Sequence, residues 1–475
     1  MIKYTLGWLL LFESGFLLIP LLTSLICRDG AILSILISIG ITAAVGALFL
    51  LGKPKNRKLY AKDGFVIVSL SWIFLSLFGA LPFVISGSIP NYVDALFETA
   101  SGFSTTGASI LSDVESLPKS MLIWRSFTHW IGGLGVLVFI MAFIPLSGAR
   151  NLHIMKAESP GPEVSKLVPK MRTTAMILYS IYIILTLVQL LFLLFGGMSF
   201  FDAINIAFAT AGTGGFGFKN DSLASFSPYL QVVVTVFMLV FSLNFNSYYF
   251  LFKGRLKDAF NLEIRVFCYI VFASTATITA NLILTDNIEN IGEAIRHAAF
   301  SVASLISTTG FSTVDFNLWP TLSKVVLVLV MFIGACAGST GGGIKVSRII
   351  ILIKGVFREF RYALNPRLVR KVSIDSKPIE NEVVRSVNSY MVCYIVVFAV
   401  SVFAISFEGH GLVTSFTAVT ATINNVGPGL EAVGPMGNYS FFSIPSKLIL
   451  IFNMLAGRLE LLPMLLLFHP ATWKK

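Results

Sequence analysis

A chain of 475 residues that is 55% hydrophobic and only 12% charged, with a mean hydropathy of +0.83, falls outside the soluble class, because apolar runs long enough to cross a bilayer recur along it. A net charge of +11 would suggest nucleic acid in a soluble protein, but here the lysines and arginines gather in loops between apolar segments. They report orientation, and no nucleic-acid partner is expected.

The first apolar segment, from about Thr5 to Ile26, lacks a small-residue cleavage site and is followed at once by a second, from about Ala31 to Leu51, across the tight Arg28-Asp29-Gly30 turn. The pair reads as a retained transmembrane hairpin. Residues 1–62 therefore form an amino-terminal hairpin and loop. Four pseudo-repeats follow, at 63–172, 173–263, 264–384 and 385–475, each reading as span, short pore helix, glycine turn, span.

The repetition rests on one fixed offset. Counting back thirteen residues from Gly107, Gly215, Gly310 and Gly427 lands on Asp94, Asp202, His297 and Thr414, each expected to open a short helical run. The runs end in Thr105-Thr106-Gly107, Thr213-Gly214-Gly215, Thr308-Thr309-Gly310 and Asn425-Val426-Gly427. Asp94 and Asp202 are expected to cap free amides and offset the positive end of the helix dipole. At about thirteen residues these helices are too short for a core of roughly 30 Å, so they dip in and return.

Loops between repeats carry Lys53, Lys55, Arg57, Lys58 and Lys62, then Arg150, Lys156, Lys166, Lys170 and Arg172, then Lys253, Arg255 and Lys257, then Arg358, Arg361, Arg367, Arg370 and Lys371. Loops within repeats are poorer in base and carry acids such as Asp113, Glu115, Asp221, Asp286, Glu289 and Glu293. The positive-inside rule puts the basic loops and both termini in the cytoplasm, with all four turns entering from outside. Ten full spans and four re-entrant helices result. Irregular backbone at that depth is tolerated only where it is shielded from lipid and lines a cavity, so the turns are expected to meet on one axis.

An ion leaving water needs its shell replaced by oxygens, and main-chain carbonyls supply them without fixed charge. Glycine allows the dihedrals and the close approach this requires. No carboxylate lies in any of the turns, which disfavours a divalent-cation site. A desolvated monovalent cation fits better. The competing reading is glycine used only for helix packing, which four members at one offset make minor.

The runs Phe103-Ser104-Thr105-Thr106-Gly107-Ala108-Ser109, Ser307-Thr308-Thr309-Gly310-Phe311, Asn424-Asn425-Val426-Gly427-Pro428-Gly429 and Arg125-Ser126-Phe127-Thr128-His129-Trp130-Ile131-Gly132-Gly133-Leu134-Gly135 resemble the Trk/Ktr/HKT superfamily of potassium transporters. The resemblance covers essentially the whole chain. The extra hairpin and the form of the last turn make it most similar to the bacterial Trk potassium-uptake transmembrane subunit. The resemblance implies an all-α membrane protein of the bacterial inner membrane, a homodimer in lipid, with no covalent cofactor. It also implies a cytoplasmic nucleotide-binding regulatory subunit as gating partner. Carried over by position, potassium binds in a filter built from Thr105, Thr106, Gly107, Thr213, Gly214, Gly215, Thr308, Thr309, Gly310, Asn425, Val426 and Gly427. Glycine in the first turn, where some plant relatives carry serine and favour sodium, points to potassium. The additional glycine of Gly212-Thr213-Gly214-Gly215 predicts a looser second quadrant.

Gly338-Ser339-Thr340-Gly341-Gly342-Gly343 should break the second span of the third repeat midway. The resemblance implies an intramembrane loop there, and a gate is expected with Lys345 and Arg348 at its inner edge; the alternative is a packing kink. Arg458, inside the final span, is costly there and is expected to hinder cations or tie the gate loop, the alternative being an ion pair with a carboxylate such as Glu460. Gly212 to Gly217 matches a dinucleotide fingerprint and Gly338 to Lys345 approaches a phosphate loop, but neither has its strand and helix context, and Ile344 stands where lysine is needed. His129 and Trp130 read as packing or hydrogen-bonding residues, without a metal partner. Cys27, Cys268, Cys336 and Cys393 lie in or at the edge of apolar segments with no metal-ligand or paired spacing, and are expected to be small buried residues.

No catalysis is expected, because no nucleophile, base and orienting acid converge. Two rivals to a channel-like pathway remain: a proton- or sodium-coupled potassium symporter, and a receptor or scaffold without conduction.

Overall fold

The computed structural model describes residues 1–51, 61–133, 135, 171–367, 371–375 and 377–473. Lys53, Lys55, Arg57, Lys58, Arg150, Lys156, Lys166, Lys170, Arg370 and the far half of the first repeat's second span lie outside the described residues, as does the side chain of Arg172.

Long leucine- and isoleucine-rich runs have no polar competitor for their backbone amides, so they form helices whose large side chains face lipid. The amino-terminal run forms α1 (Ile2–Phe16) and α2 (Leu18–Cys27), and α3 (Ile32–Leu50) returns beside them. Gly7 and Gly46 allow the two backbones to touch: a Cβ on Gly7 would sit 2.9 Å from the Gly46 carbonyl. Asp29 in the turn ties this hairpin to the first repeat, its carboxylate accepting from the Ser120 amide at 2.8 Å.

The first repeat contains α4 (Ala61–Gly79), α5 (Leu81–Ile85), the short α6 (Tyr92–Phe103) and α7 (Lys119–Gly133). The second contains α8 (Met171–Phe195), the short α9 (Phe200–Ala211), α10 (Pro228–Ser242) and α11 (Phe245–Phe252). The third contains α12 (Leu262–Leu284), the short α13 (Ile291–Ile306), α14 (Thr321–Ile333) and α15 (Val346–Leu364). The fourth contains α16 (Asn381–Ser406), the short α17 (Leu412–Ile423), α18 (Ile444–Arg458) and α19 (Leu462–Leu467). The β structure among the described residues is one two-residue antiparallel ladder, Ser373–Ile374 with Lys377–Pro378, so the fold is all-α.

Six described helices are long and apolar enough to cross a membrane, and they are the two hairpin segments and the first span of each repeat. The described second spans of the second, third and fourth repeats are interrupted helices, where unbroken ones were expected. In the second repeat, α10 and α11 meet at 91°. In the third, the backbone leaves the helix from Gly334 to Lys345, a longer break than the six residues expected. In the fourth, Glu460 and Leu461 take positive φ between α18 and α19.

The breaks of the second and third repeats support each other. Ending α10 at Ser242 frees carbonyls that the third repeat's loop uses: Cys336 N donates to Ser242 O at 3.1 Å, and Thr340 Oγ1 donates to Phe241 O at 3.1 Å. In return Phe245 N donates to Gly338 O at 3.0 Å. Each break supplies partners that the other needs, which is how irregular backbone persists away from water.

The short helices begin where local capping dictates. Asn91, Ser199 and Asn290 are the caps, each accepting amides of the first turn. Asp94 and Asp202 therefore sit in the first turn and are not the cap residues, and His297 lies six residues inside α13. The expectation that those residues open their helices is corrected. Asp94 instead pairs with Lys447 at 2.6 Å, linking α6 to α18.

Candidate functional site

Each short helix runs into its glycine turn through the same pair of unusual dihedrals. Thr105, Thr213, Thr308 and Asn425 have φ of 55°, 54°, 60° and 55°, and two residues later Gly107, Gly215, Gly310 and Gly427 have φ of 82°, 78°, 84° and 94°. Non-glycine residues rarely hold positive φ, and four at equivalent positions mark one backbone device built four times.

The turns close on one another in cyclic order. A Cβ on Gly107 would lie 2.0 Å from Gly214 O, one on Gly215 would lie 1.9 Å from Thr309 O, one on Gly310 would lie 2.2 Å from Val426 O, and one on Gly427 would lie 2.7 Å from Thr106 O. Each glycine thus abuts the carbonyl just before the glycine of the next repeat, and the fourth returns to the first. No L side chain fits any of these junctions. The junctions join Thr106, Gly107, Gly214, Gly215, Thr309, Gly310, Val426 and Gly427, and Thr105, Thr213, Thr308 and Asn425 are the positive-φ residues that lead into them. Among the described residues no donor takes the carbonyls of Thr106, Gly214, Thr309 or Val426.

Side chains brace this ring from behind. Asn425 Nδ2 donates to Thr106 Oγ1 at 3.0 Å and to Met454 O at 2.8 Å, so one amide joins the first and fourth turns to α18. Thr106 and Thr309 hydroxyls pair with Ser104 and Ser307, both at 2.7 Å. Tyr439 OH holds Gly427 O at 2.7 Å.

The second quadrant is not loose. His129 fills the space where side chains of Gly212 and Gly214 would go, its ring lying 2.2 Å from a Cβ on Gly214. Its Nε2 accepts from the Phe216 amide at 3.2 Å, which assigns the proton to Nδ1, 2.7 Å from Gly102 O. The surplus glycines are the counterpart of a buried histidine, and the expectation of a looser quadrant is corrected.

Sequence reasoning did not single out the buried ion pair of Arg125 with Glu98 at 2.8 Å. Arg125 also donates to Gly217 O at 2.9 Å, and Glu98 accepts from Ile110 N at 3.0 Å, so the pair clamps the outer strands of two turns. Charged residues within apolar helices are the signal that could have found it.

The loop of Gly338, Ser339, Thr340, Gly341, Gly342 and Gly343 lies against the inner side of the ring. Gly342 N donates to Thr308 Oγ1 at 2.7 Å, and Cβ atoms on Gly341 and Gly342 would meet Ser307 O at 2.8 Å and Asn424 O at 2.6 Å. Lys345 Nζ donates to Gly341 O. Glu263, also unflagged by the sequence, holds both ends of the loop through the amides of Ala337 at 2.8 Å and Ser347 at 3.0 Å. Arg458 reaches the loop from α18, donating to Thr340 O at 2.6 Å, Thr105 Oγ1 at 3.1 Å, Gly132 O at 2.6 Å and Gly133 O at 2.5 Å. Glu460 pairs with Arg348. Arg458 and Glu460 thus make two linkages from α18 and its end to the third repeat.

Comparison with known proteins gives the chain's family and fold. Residues 32–475 match the family described as TrkH, cation transport protein. The chain is 36% identical over 476 residues to the Trk system potassium uptake protein TrkH of Escherichia coli strain K12, covering 99% of this chain and 98% of that protein. It is 31% identical to TrkG of the same organism, covering 98% and 97%. The crystal structure of the potassium transporter TrkH from Vibrio parahaemolyticus superposes with a TM-score of 0.89 at 32% identity, covering 100% of this chain and 99% of that one. The protein is accordingly a multi-pass protein of the bacterial inner membrane, a transporter and not an enzyme. On its sequence match and its fold, the chain belongs to the TrkH family of cation transport proteins.

Proposed function

We propose that this chain takes up potassium through a channel-like pathway whose selectivity filter is the ring of four turns. The observation that carries the reading is the cyclic closure of Gly107, Gly215, Gly310 and Gly427 on the carbonyls of the next repeat. A ring of neutral main-chain oxygens, freed from internal donors and held by Thr, Asn and His side chains, suits a monovalent cation that has shed its water. The family relatives are potassium uptake proteins by name, which supports potassium as the ion.

Thr105, Thr106, Thr213, Gly214, Thr308, Thr309, Asn425 and Val426, with the four glycines, are the proposed potassium-binding residues. The loop from Gly338 to Gly343, with Lys345 and Arg458, is the proposed gate. Its support is position: it lies directly against Thr308 and Asn424 and is held by an arginine that also touches Thr105. Displacing it requires exchanging the hydrogen bonds of Arg458 and Glu263, a discrete step suited to control by a cytoplasmic nucleotide-binding subunit acting on a homodimer. Both termini are proposed to be cytoplasmic.

Purified protein in liposomes tests this. Rubidium uptake driven by a potassium diffusion potential alone is the expected result. A strict need for a proton or sodium gradient would assign a coupled symporter, and no uptake under any gradient would overturn the conduction reading.

A further inference from the structure

Glu13 lies within α1, in the amino-terminal hairpin, and is wholly buried. Among the described residues no donor reaches either of its carboxylate oxygens. A carboxylate in apolar surroundings without a donor is among the costliest groups a membrane helix can hold, which singles such a residue out for a functional role.

No charged partner faces it among the described residues. On the helices packed nearby, α3, α5 and α19 hold no ionisable residue, and α2 has only the exposed Cys27 at its end. Lys3 and Tyr4 stand near the start of α1, and Lys62 and Asp63 at the end of α4 far from Gly79. On α6, Asp94 and Glu98 are taken by Lys447 and Arg125. On α7, Lys119 lies over the Phe201 ring and His129 is bonded into the second turn. The ionisable group that feels a charge on Glu13 is Tyr92, at the start of α6. Tyr92 is 40% exposed and donates to Leu77 O at 2.9 Å, so it adjoins both the carboxyl's surroundings and the surface where the short helices begin.

Glu13 also sits against the approach to the first turn. A Cβ on Gly79 would lie 3.3 Å from Glu13 Oε1 and 2.7 Å from the Phe103 ring, so carboxyl and ring meet over that glycine. Phe103 ends α6 two residues before Thr105, and its carbonyl is 1.9 Å from the Cβ position of Gly132. A shift of the ring is therefore passed to the turn.

We propose that Glu13 is a proton-binding site, loaded from the outer solution past Tyr92, that fixes the packing of Phe103 behind the first turn and ties uptake to external pH. The proton adds to the carboxylate and gives a neutral acid that the apolar site accommodates. Its loss places a charge beside the Phe103 ring, and water must then enter between α1 and α4 to solvate it. A metal ion is a poorer occupant, because among the described residues no cluster of ligating side chains surrounds the carboxyl. The effect on uptake rests on the filter reading above; the proton site does not.

Two measurements on the full chain in lipid test this, each with wild type, Glu13→Gln and Glu13→Leu between pH 6 and pH 9. Infrared difference spectra of wild type are expected to show a carboxylic-acid carbonyl band that shifts in heavy water, fades as pH rises and is missing from both variants. Rubidium uptake into liposomes of fixed internal pH and potential is expected to fall about fivefold over that external range in wild type, the lower end of coupling between two sites. Glu13→Gln, which resembles the protonated form, is expected to hold the acid level throughout. Absence of a band that depends on Glu13, or one indifferent to pH, overturns proton binding whether or not the protein conducts. A pH-responsive band with the same uptake profile in all three proteins overturns the link to the turn. The band without rubidium uptake at any pH supports the proton site and counts against the conduction reading instead.

Discussion

Arg458 donates to the main-chain oxygen of Thr340 at 2.6 Å, joining the last span of the chain to the loop that interrupts the third repeat. The same guanidinium reaches Thr105 in the first turn, so one side chain touches the proposed gate and the proposed filter together.

That junction predicts the effect of its removal. Charge-assisted hydrogen bonds of about 1.5–3 kcal/mol each hold the loop in place, so Arg458→Ala should raise rubidium influx into liposomes on the order of tenfold. Influx equal to wild type, in protein with normal elution and helicity, would remove Arg458 from the gate.

Two glycines with similar φ separate strain from collision. Gly30 has φ of 80° with open space around it, whereas Gly107 has φ of 82° and a neighbouring carbonyl 2.0 Å from its Cβ position. Gly30→Ala should cost about 1 kcal/mol of stability and leave uptake intact. Gly107→Ala should abolish selective uptake. Potassium-over-sodium flux ratios and thermal unfolding check both.

His129 and Gly214 should couple. Gly214→Ala drives a methyl into the imidazole, and removing the ring in a Gly214→Ala/His129→Gly double variant makes room for it. The double variant should recover part of the unfolding temperature lost by Gly214→Ala, with a coupling energy on the order of 1–3 kcal/mol. Additive losses would show that His129 is not what requires glycine there.

Asp29 should give the hairpin junction a dependence on acid. Burial raises its carboxyl, but hydrogen bonds from Ser24, Ser120 and Ala31 outweigh it, and the net direction is down from the ordinary 3.8. A carboxylate whose folded value is depressed stabilises the folded state above its unfolded value and loses that contribution as pH falls through the folded one. Thermal unfolding from pH 7 down to pH 3 should therefore show a decline that Asp29→Asn flattens, with a lower starting temperature in the variant.

How much of this was legible in advance follows the range of the forces involved. The four turns could be read because glycine at a crowded, positive-φ junction leaves a residue-level mark, and because the mark recurs at one spacing. The third repeat's break was readable from its glycines, although its start at Gly334 was not. The 91° bend at Leu243 and Asn244 carries no glycine or proline at the turn itself. Its cause is the Cys336 and Thr340 groups that take the freed carbonyls from nearly a hundred residues away. The same holds for His129 against Gly214, which made an extra glycine look like slack.

Sequence by itself determined that the chain lives in a membrane, where its re-entrant turns lie and that they lack fixed charge, because hydropathy, glycine and the absence of carboxylates are properties of single residues. Tertiary structure alone decided that the turns form a closed ring, that Arg458 bridges loop and ring, and that Arg125 with Glu98 and Glu263 with Ala337 and Ser347 hold it. Those contacts join groups distant along the chain, and which buried donor meets which acceptor is settled only when all the segments pack and every polar group away from water must find a partner.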